Sequence, residues 1–238
     1  MPALADPTTQ PQHVIVPPDG GKWRDLGVRV ASAAVLLPVA LGCLWAGGWY
    51  WTALVLVGAA GMALEWRGLC RHRPAPLQPL LGAVYILPAV IALLWLRDDP
   101  AGGAVRVLFI LCIVWASDIG AYMTGRLFGG AKLAPTISPG KTWSGAAGGL
   151  VSAIVVGVIF ARLNDGAAGS AMAIAALLGI VAQAGDLFES GLKRYFDVKD
   201  SGRSIPGHGG LLDRLDAVLT AAPVAAALLL LRGVELWR

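Results

Sequence analysis

Apolar residues in this 238-residue chain neither alternate nor form narrow helical stripes; they run together in long blocks separated by short polar stretches. A helix crossing about 30 Å of hydrocarbon needs roughly 20 mostly apolar residues. The pattern predicts seven such helices, over 28–46, 49–64, 79–96, 104–123, 143–161, 170–188 and 212–231, the first two parted only by Gly47 and Gly48. Residues 1–21 are rich in proline and polar residues without periodicity, and predict a disordered tail. The fold class expected is an all-α, polytopic integral membrane helical bundle of about seven transmembrane helices. Residues 22–103 form its N-terminal helices and residues 104–238 a C-terminal transmembrane region with polar loops. The first apolar block follows Lys22, Arg24 and Arg29 and precedes others, so it reads as a span and not as a cleaved signal.

Composition agrees: 56% of residues are hydrophobic and 14% charged, with a mean hydropathy of +0.67. Soluble domains hold about 25% charged residues. The net charge of +4 does not call for nucleic acid as a partner, because basic residues of membrane proteins mark the cytoplasmic face. With the N-terminus inside, that face receives 14 of the 19 lysines and arginines and the other face 5, so the asymmetry predicts a cytoplasmic N-terminus. Cys43, Cys70 and Cys112 stand far apart, which supports neither a zinc site nor a disulfide framework.

Carboxylates inside spans are expensive in lipid and usually face a polar cavity. Asp118 in span four, Asp186 in span six, and Asp213 and Asp216 at the start of span seven all fall near predicted cytoplasmic helix ends. Asp186, Ser190, Lys193 and Arg194 share one helix face if span six continues past the membrane, and Asp213 and Asp216 share another. Hard oxygen ligands beside cations suit a magnesium ion that also holds substrate phosphates. The plainer alternative is that these charges anchor helix ends at the interface and pair with one another, as Asp216 with Arg214. "SIPGHGG" combines a fixing proline with glycines whose backbone N–H groups can approach an anion, although a tight turn has the same composition. His208 within it reads as an acid, a phosphate donor or a satisfied loop residue. In "FGGAKLAPTISPGKTWSG" the Gly-Lys-Thr is not a P-loop, since Pro135 stands where a glycine is needed and no strand is expected before it. Lys132 and Lys141 stay as phosphate contacts on that loop.

The segment "SGLKRYFDVKDSGRSIPGHGGLLDRLD", Ser190 to Asp216, resembles the signature of the phosphatidate cytidylyltransferases, or CDP-diacylglycerol synthases. "SDIGAYMTGRLFG", "LAPTISPGKTWSG" and "QAGDLFES" extend the likeness over Trp115 to Ala217. Ser144 is a departure, standing where the family pattern has Glu. The resemblance implies an all-helical membrane enzyme, a homodimer, that condenses CTP with phosphatidic acid to CDP-diacylglycerol and pyrophosphate with Mg2+, and with K+ as a second cation. It implies Asp186 and Asp213 as metal ligands with Ser190 and Lys193 beside them, and Asp118 and Asp216 as further or supporting ligands. Lys132, Lys141, Arg194, Lys199, Asp200, His208, Gly209, Gly210 and Arg214 would handle substrate. A bacterial inner membrane, with the site facing the cytoplasm, is the expected location. The alternatives are another magnesium-dependent lipid phosphotransferase and an ion-coupled transporter; the latter predicts acids at mid-membrane and repeated halves, neither of which the chain has.

Overall fold

A computed structural model describes residues 20–202, 204, 205, 207 and 209–238, with side chains from Gly27 onward except Arg29. Seven α-helices follow one another: α1 Gly20–Ala46, α2 Gly48–Cys70, α3 Gln78–Asp98, α4 Gly103–Phe128, α5 Trp143–Leu163, α6 Ala168–Tyr195 and α7 Leu212–Arg232. Six of them, α2 to α7, are long and apolar enough to cross a membrane, and the apolar part of α1, Val30–Ala46, is shorter. The protein is an integral membrane protein. Of the expected tail, only Gly20 and Gly21 are described, and they open α1. Every backbone group in a lipid-embedded helix is satisfied within the helix, which is why the hydrophobic blocks read so directly as helices.

One element departs from the expected loops. Strands β1 Lys132–Ala134 and β2 Ser138–Thr142 pair antiparallel between α4 and α5, with Lys132 opposite Thr142, Ala134 opposite Ser138 and an irregularity between. Gly129 and Gly130, at φ +59° and +98°, turn the chain out of α4 into this hairpin, a conformation that a side chain would strain. Thr142 then caps α5, its hydroxyl accepting from the Gly145 N–H at 3.1 Å. A strand does precede the Gly-Lys-Thr, but Lys141 and Thr142 lie on β2, which runs straight into α5 without a phosphate-wrapping loop.

Small residues bring the helices of the C-terminal half together, since between helices in lipid it is close packing that holds. A Cβ on Gly149 of α5 would stand 2.7 Å from the Ser117 carbonyl oxygen of α4, and one on Gly145 2.9 Å from that of Ala121. Gly185 of α6 lies as tightly on Thr220 and the Asp216 carbonyl of α7. The arrangement gathers the C-terminal ends of α2, α4 and α6 with the N-terminal ends of α3, α5 and α7.

The opposite end is closed by apolar packing. After Gly233, in the left-handed region at φ +63°, the chain folds back and buries Leu236 and Trp237. The Trp237 ring lies 5.7 Å from Phe109 and 5.4 Å from Phe160, centroid to centroid. Beside it the Arg106 guanidinium bonds Glu235 at 2.6–3.2 Å and Asp99 at 2.7 Å. Arg97 donates to the Leu44 and Trp45 carbonyls that end α1, at 2.6 and 3.1 Å. Gly149→Val is expected to force α4 and α5 apart and to lower the melting temperature in detergent; a wild-type melting curve would show that this interface yields.

Candidate active site

Two charged groups occupy the end of the bundle where α2, α4, α6 and α7 meet. In the first, Lys193 on the last turns of α6 bonds Asp213 Oδ1 at 2.7 Å and pairs with Glu189 Oε2 at 2.7 Å. The other Asp213 oxygen, Oδ2, accepts from the Ser201 N–H at 2.9 Å, the Ser201 hydroxyl at 3.0 Å and the Gly210 N–H at 3.0 Å. The carboxylate of Asp213 therefore pins both ends of the 201–210 connection. Glu189 and Ser201 are 3% and 7% exposed, so these groups are largely withdrawn from water.

Glu65, on α2, is 6% exposed and completes this group. Its two oxygens accept the Leu211 and Leu212 N–H groups at 2.8 and 2.9 Å, and the Ser201 hydroxyl at 3.2 Å. Leu211, at the α7 N-cap position, brings no side-chain oxygen, so the unpaired amides at the helix start are satisfied from another helix. Gly202 and Gly210 are required beside it, as a Cβ on either would stand 2.8 Å from the Glu65 carboxyl.

The second group is built on Lys141 of β2, whose ammonium stands 2.5 Å from Asp186 Oδ2. Asp118 of α4 and Asp216 of α7 lie close enough to Asp186, and to one another, to feel its charge. A cavity of about 540 Å³ opens here, lined by Asp118, Tyr122, Arg126, Lys141, Thr142, Gln183 and Asp186 among others. Gln183 donates to the Ser117 hydroxyl and the Ala146 carbonyl, both at 3.2 Å, and ties α6 to α4 and α5 beneath it.

The expected one-faced set on α6 is thus divided. The helix does continue to Tyr195, yet Asp186 faces Lys141 while Lys193 faces Asp213. Asp213 and Asp216 are separated likewise. Asp213 is saturated by its donors, whereas Asp216 lies in the field of Asp186 and Asp118, with its Oδ1 accepting the Ala217 N–H at 2.7 Å. Ser190 is half-buried beside them. Arg194 is exposed and donates to the Ile137 carbonyl at 3.2 Å, fixing the hairpin to α6. Lys132, Lys199 and Asp200 are exposed; Arg214, also exposed, has an interaction partner. The Gly210 N–H is spent on Asp213, not presented to a ligand, and Gly209 sits beside the same carboxylate. His208 lies outside the described residues. Ser144 bonds the Gly129 carbonyl and Thr142, so this position joins the end of α4 to the start of α5.

Hydropathy and motif spacing do not single out Glu65, Glu189 or Ser201. The apolar pattern ends span two at residue 64, one position short of Glu65, whereas α2 runs to Cys70. The i,i+4 spacing of Glu189 and Lys193 is the available signal for that pair.

Among the described residues, no three His, Cys, Asp or Glu side chains converge closely enough to enclose a metal ion. The donor chemistry nevertheless fits a hard divalent cation: α4, α6 and α7 each bring a carboxylate to this region, Asp118, Asp186 and Asp216, with Lys141 paired to Asp186. Asp213 would have to exchange Lys193 for the metal at Oδ1, since Oδ2 already takes three donors.

Glu65→Ala would leave the Leu211 and Leu212 amides unpaired, at about 1–3 kcal/mol for each buried group. A lower melting temperature and faster proteolysis within 200–212 are expected, with Glu65→Gln intermediate. Unchanged values for Glu65→Ala would show that α7 starts without this carboxylate.

Comparison with known proteins bears on this site. Residues 76–232 match the model of the cytidylyltransferase family. Phosphatidate cytidylyltransferase from Brucella suis biovar 1 is 35% identical over 83% of this chain and 91% of its own length. Those of Rickettsia felis and Rickettsia bellii are 36% and 38% identical over 84% of this chain, and over 91% and 89% of their lengths. With this match covering α3 to α7, and so every member of the two charged groups except Glu65, the chain belongs to the cytidylyltransferase family.

Proposed function

We propose that this protein is a phosphatidate cytidylyltransferase that transfers CMP from CTP to phosphatidic acid, releasing pyrophosphate. The observation that carries the proposal is the likeness to enzymes of that name along almost their whole length, with Lys193 and Asp213 meeting where α6 and α7 converge and Asp186 pairing with Lys141 beside the cavity. A phosphate oxygen of phosphatidic acid attacks the α-phosphorus of CTP, a new P–O bond forms, and the bond to the β-phosphate breaks with its electrons on pyrophosphate. The attacking oxygen is already anionic, so no protein nucleophile or general base is required.

The difficulty lies in bringing two polyanions together. Lys141 and Arg126 line the cavity and supply positive charge for the nucleotide phosphates. Lys193, held between Glu189 and Asp213, is placed to move from carboxylate to phosphate as substrate enters. Asp186 and Asp213, with Asp118 and Asp216 beside them, would hold Mg2+, and K+ as a second cation; when bound, such ions neutralise phosphate charge and polarise the phosphoryl group. Glu65, through Ser201 and the start of α7, keeps Asp213 in place. The excess of basic residues at this end supports a cytoplasmic site in a bacterial inner membrane, and the family likeness supports a homodimer.

Purified protein in detergent is expected to convert labelled CTP and phosphatidate to a CDP-lipid with Mg2+, and to lose that activity in excess EDTA. Full turnover in EDTA would remove the metal from the mechanism. Asp186→Asn and Lys141→Ala are each expected to lower turnover by about 100-fold, the scale seen when one electrostatic contact to a transition state is lost. Near-native rates from a folded Asp186→Asn would withdraw its role as a ligand.

A further inference from the structure

Tyr85, on α3, places its hydroxyl near the charged groups of the site without a partner. The oxygen is removed from water and makes no hydrogen bond. Its ring is wedged between Trp66, at 6.2 Å, and Phe188, at 5.3 Å between centroids, so the side chain cannot swing out to find solvent without giving up that packing. The carboxylates whose charge reaches it are Asp216, Glu189 and Asp186, which belong to both charged groups of the site. Glu189, buried nearby, shares Lys193 with Asp213. A buried phenol left unbonded loses its hydration with nothing in return, and native structures rarely leave such a donor idle. The arrangement is that of a donor waiting for an acceptor oxygen that arrives with a ligand.

The surroundings say which ligand. The cavity that holds Lys141, Arg126, Asp118 and Asp186 lies between α4, the hairpin, α5 and α6, and Tyr85 is not among its lining residues. Around Tyr85 the outward surface is apolar: Leu81, one turn earlier on the same side of α3, and Phe188 of α6, whose ring packs on Tyr85, are both exposed, which in a membrane-spanning helix means exposed to lipid. A ligand reaching the hydroxyl from this side must carry acyl chains and bring an anionic oxygen to the carboxylates and Lys193. We infer that the Tyr85 hydroxyl donates a hydrogen bond to a phosphate oxygen of the lipid substrate and so positions the attacking group. This rests on the reaction proposed above.

Tyr85→Phe keeps the ring and removes only the donor. In the purified enzyme, the expected result is a fall of about 10-fold or more in kcat/KM for phosphatidate, the scale of a lost hydrogen bond to a charged group. The KM for CTP stays within about twofold and the melting temperature is unchanged. Wild-type kinetics toward phosphatidate in this variant overturn the inference. So does a shift in the CTP KM alone, or a lowered melting temperature with unaltered phosphatidate kinetics, which would assign the hydroxyl to the fold. If the wild-type protein forms no CDP-lipid at all, the proposed reaction fails and the inference falls with it, an outcome distinct from an active enzyme indifferent to Tyr85→Phe.

Discussion

The catalytic end of this protein depends on a carboxylate from α2 closing the start of α7. Helix α7 begins with leucines, so its first amides have no local acceptor, and they lie where water is scarce. Glu65 meets two of them and also complements the positive end of the helix dipole. Because Asp213 is the second residue of that helix and Asp216 lies one turn on, their placement is set by a side chain 146 positions or more away in sequence. The Ser201 hydroxyl, within reach of both Glu65 and Asp213, welds the preceding loop to the same point.

That dependence also explains why some of the molecule is legible in the sequence and some is not. Helices α2 to α7 can be read because lipid imposes length and composition on each one separately. The acids Asp118, Asp186, Asp213 and Asp216 stand out because charge is rare in such stretches. Partnerships do not stand out. Helical spacing puts Asp186 and Lys193 near one line, but α6 is touched by β2 on one flank and α7 on the other, and so their partners differ. The hairpin of residues 132–142 is too short and too polar to announce itself by alternation. Glu65 falls one residue beyond the apolar block of span two, and its role is visible only once α2 and α7 are side by side.

Each charged group holds a lysine among its acids before any ligand arrives, although the carboxylates outnumber the lysine in both. Lys141 answers Asp186, and Lys193 answers Asp213 and Glu189. A buried acid without a cation is costly, and so is a buried cation without an acid, so each lysine stabilises the empty site as well as serving the full one. For a reaction between two polyanions this is a workable resting state, because each lysine is already held where phosphate charge has to be met.

The folded-back segment that buries Leu236 and Trp237 acquires its meaning from what lies at the other end. A cavity lined with acids and open to water reaches into the bundle, and an aqueous path continuing through it would let protons and ions slip across the bilayer. At the far end Phe109, Phe160 and Trp237 pack ring against ring and set an apolar plug across such a path. A cell can therefore keep a highly charged reaction centre in its membrane without discharging the gradient that the membrane maintains.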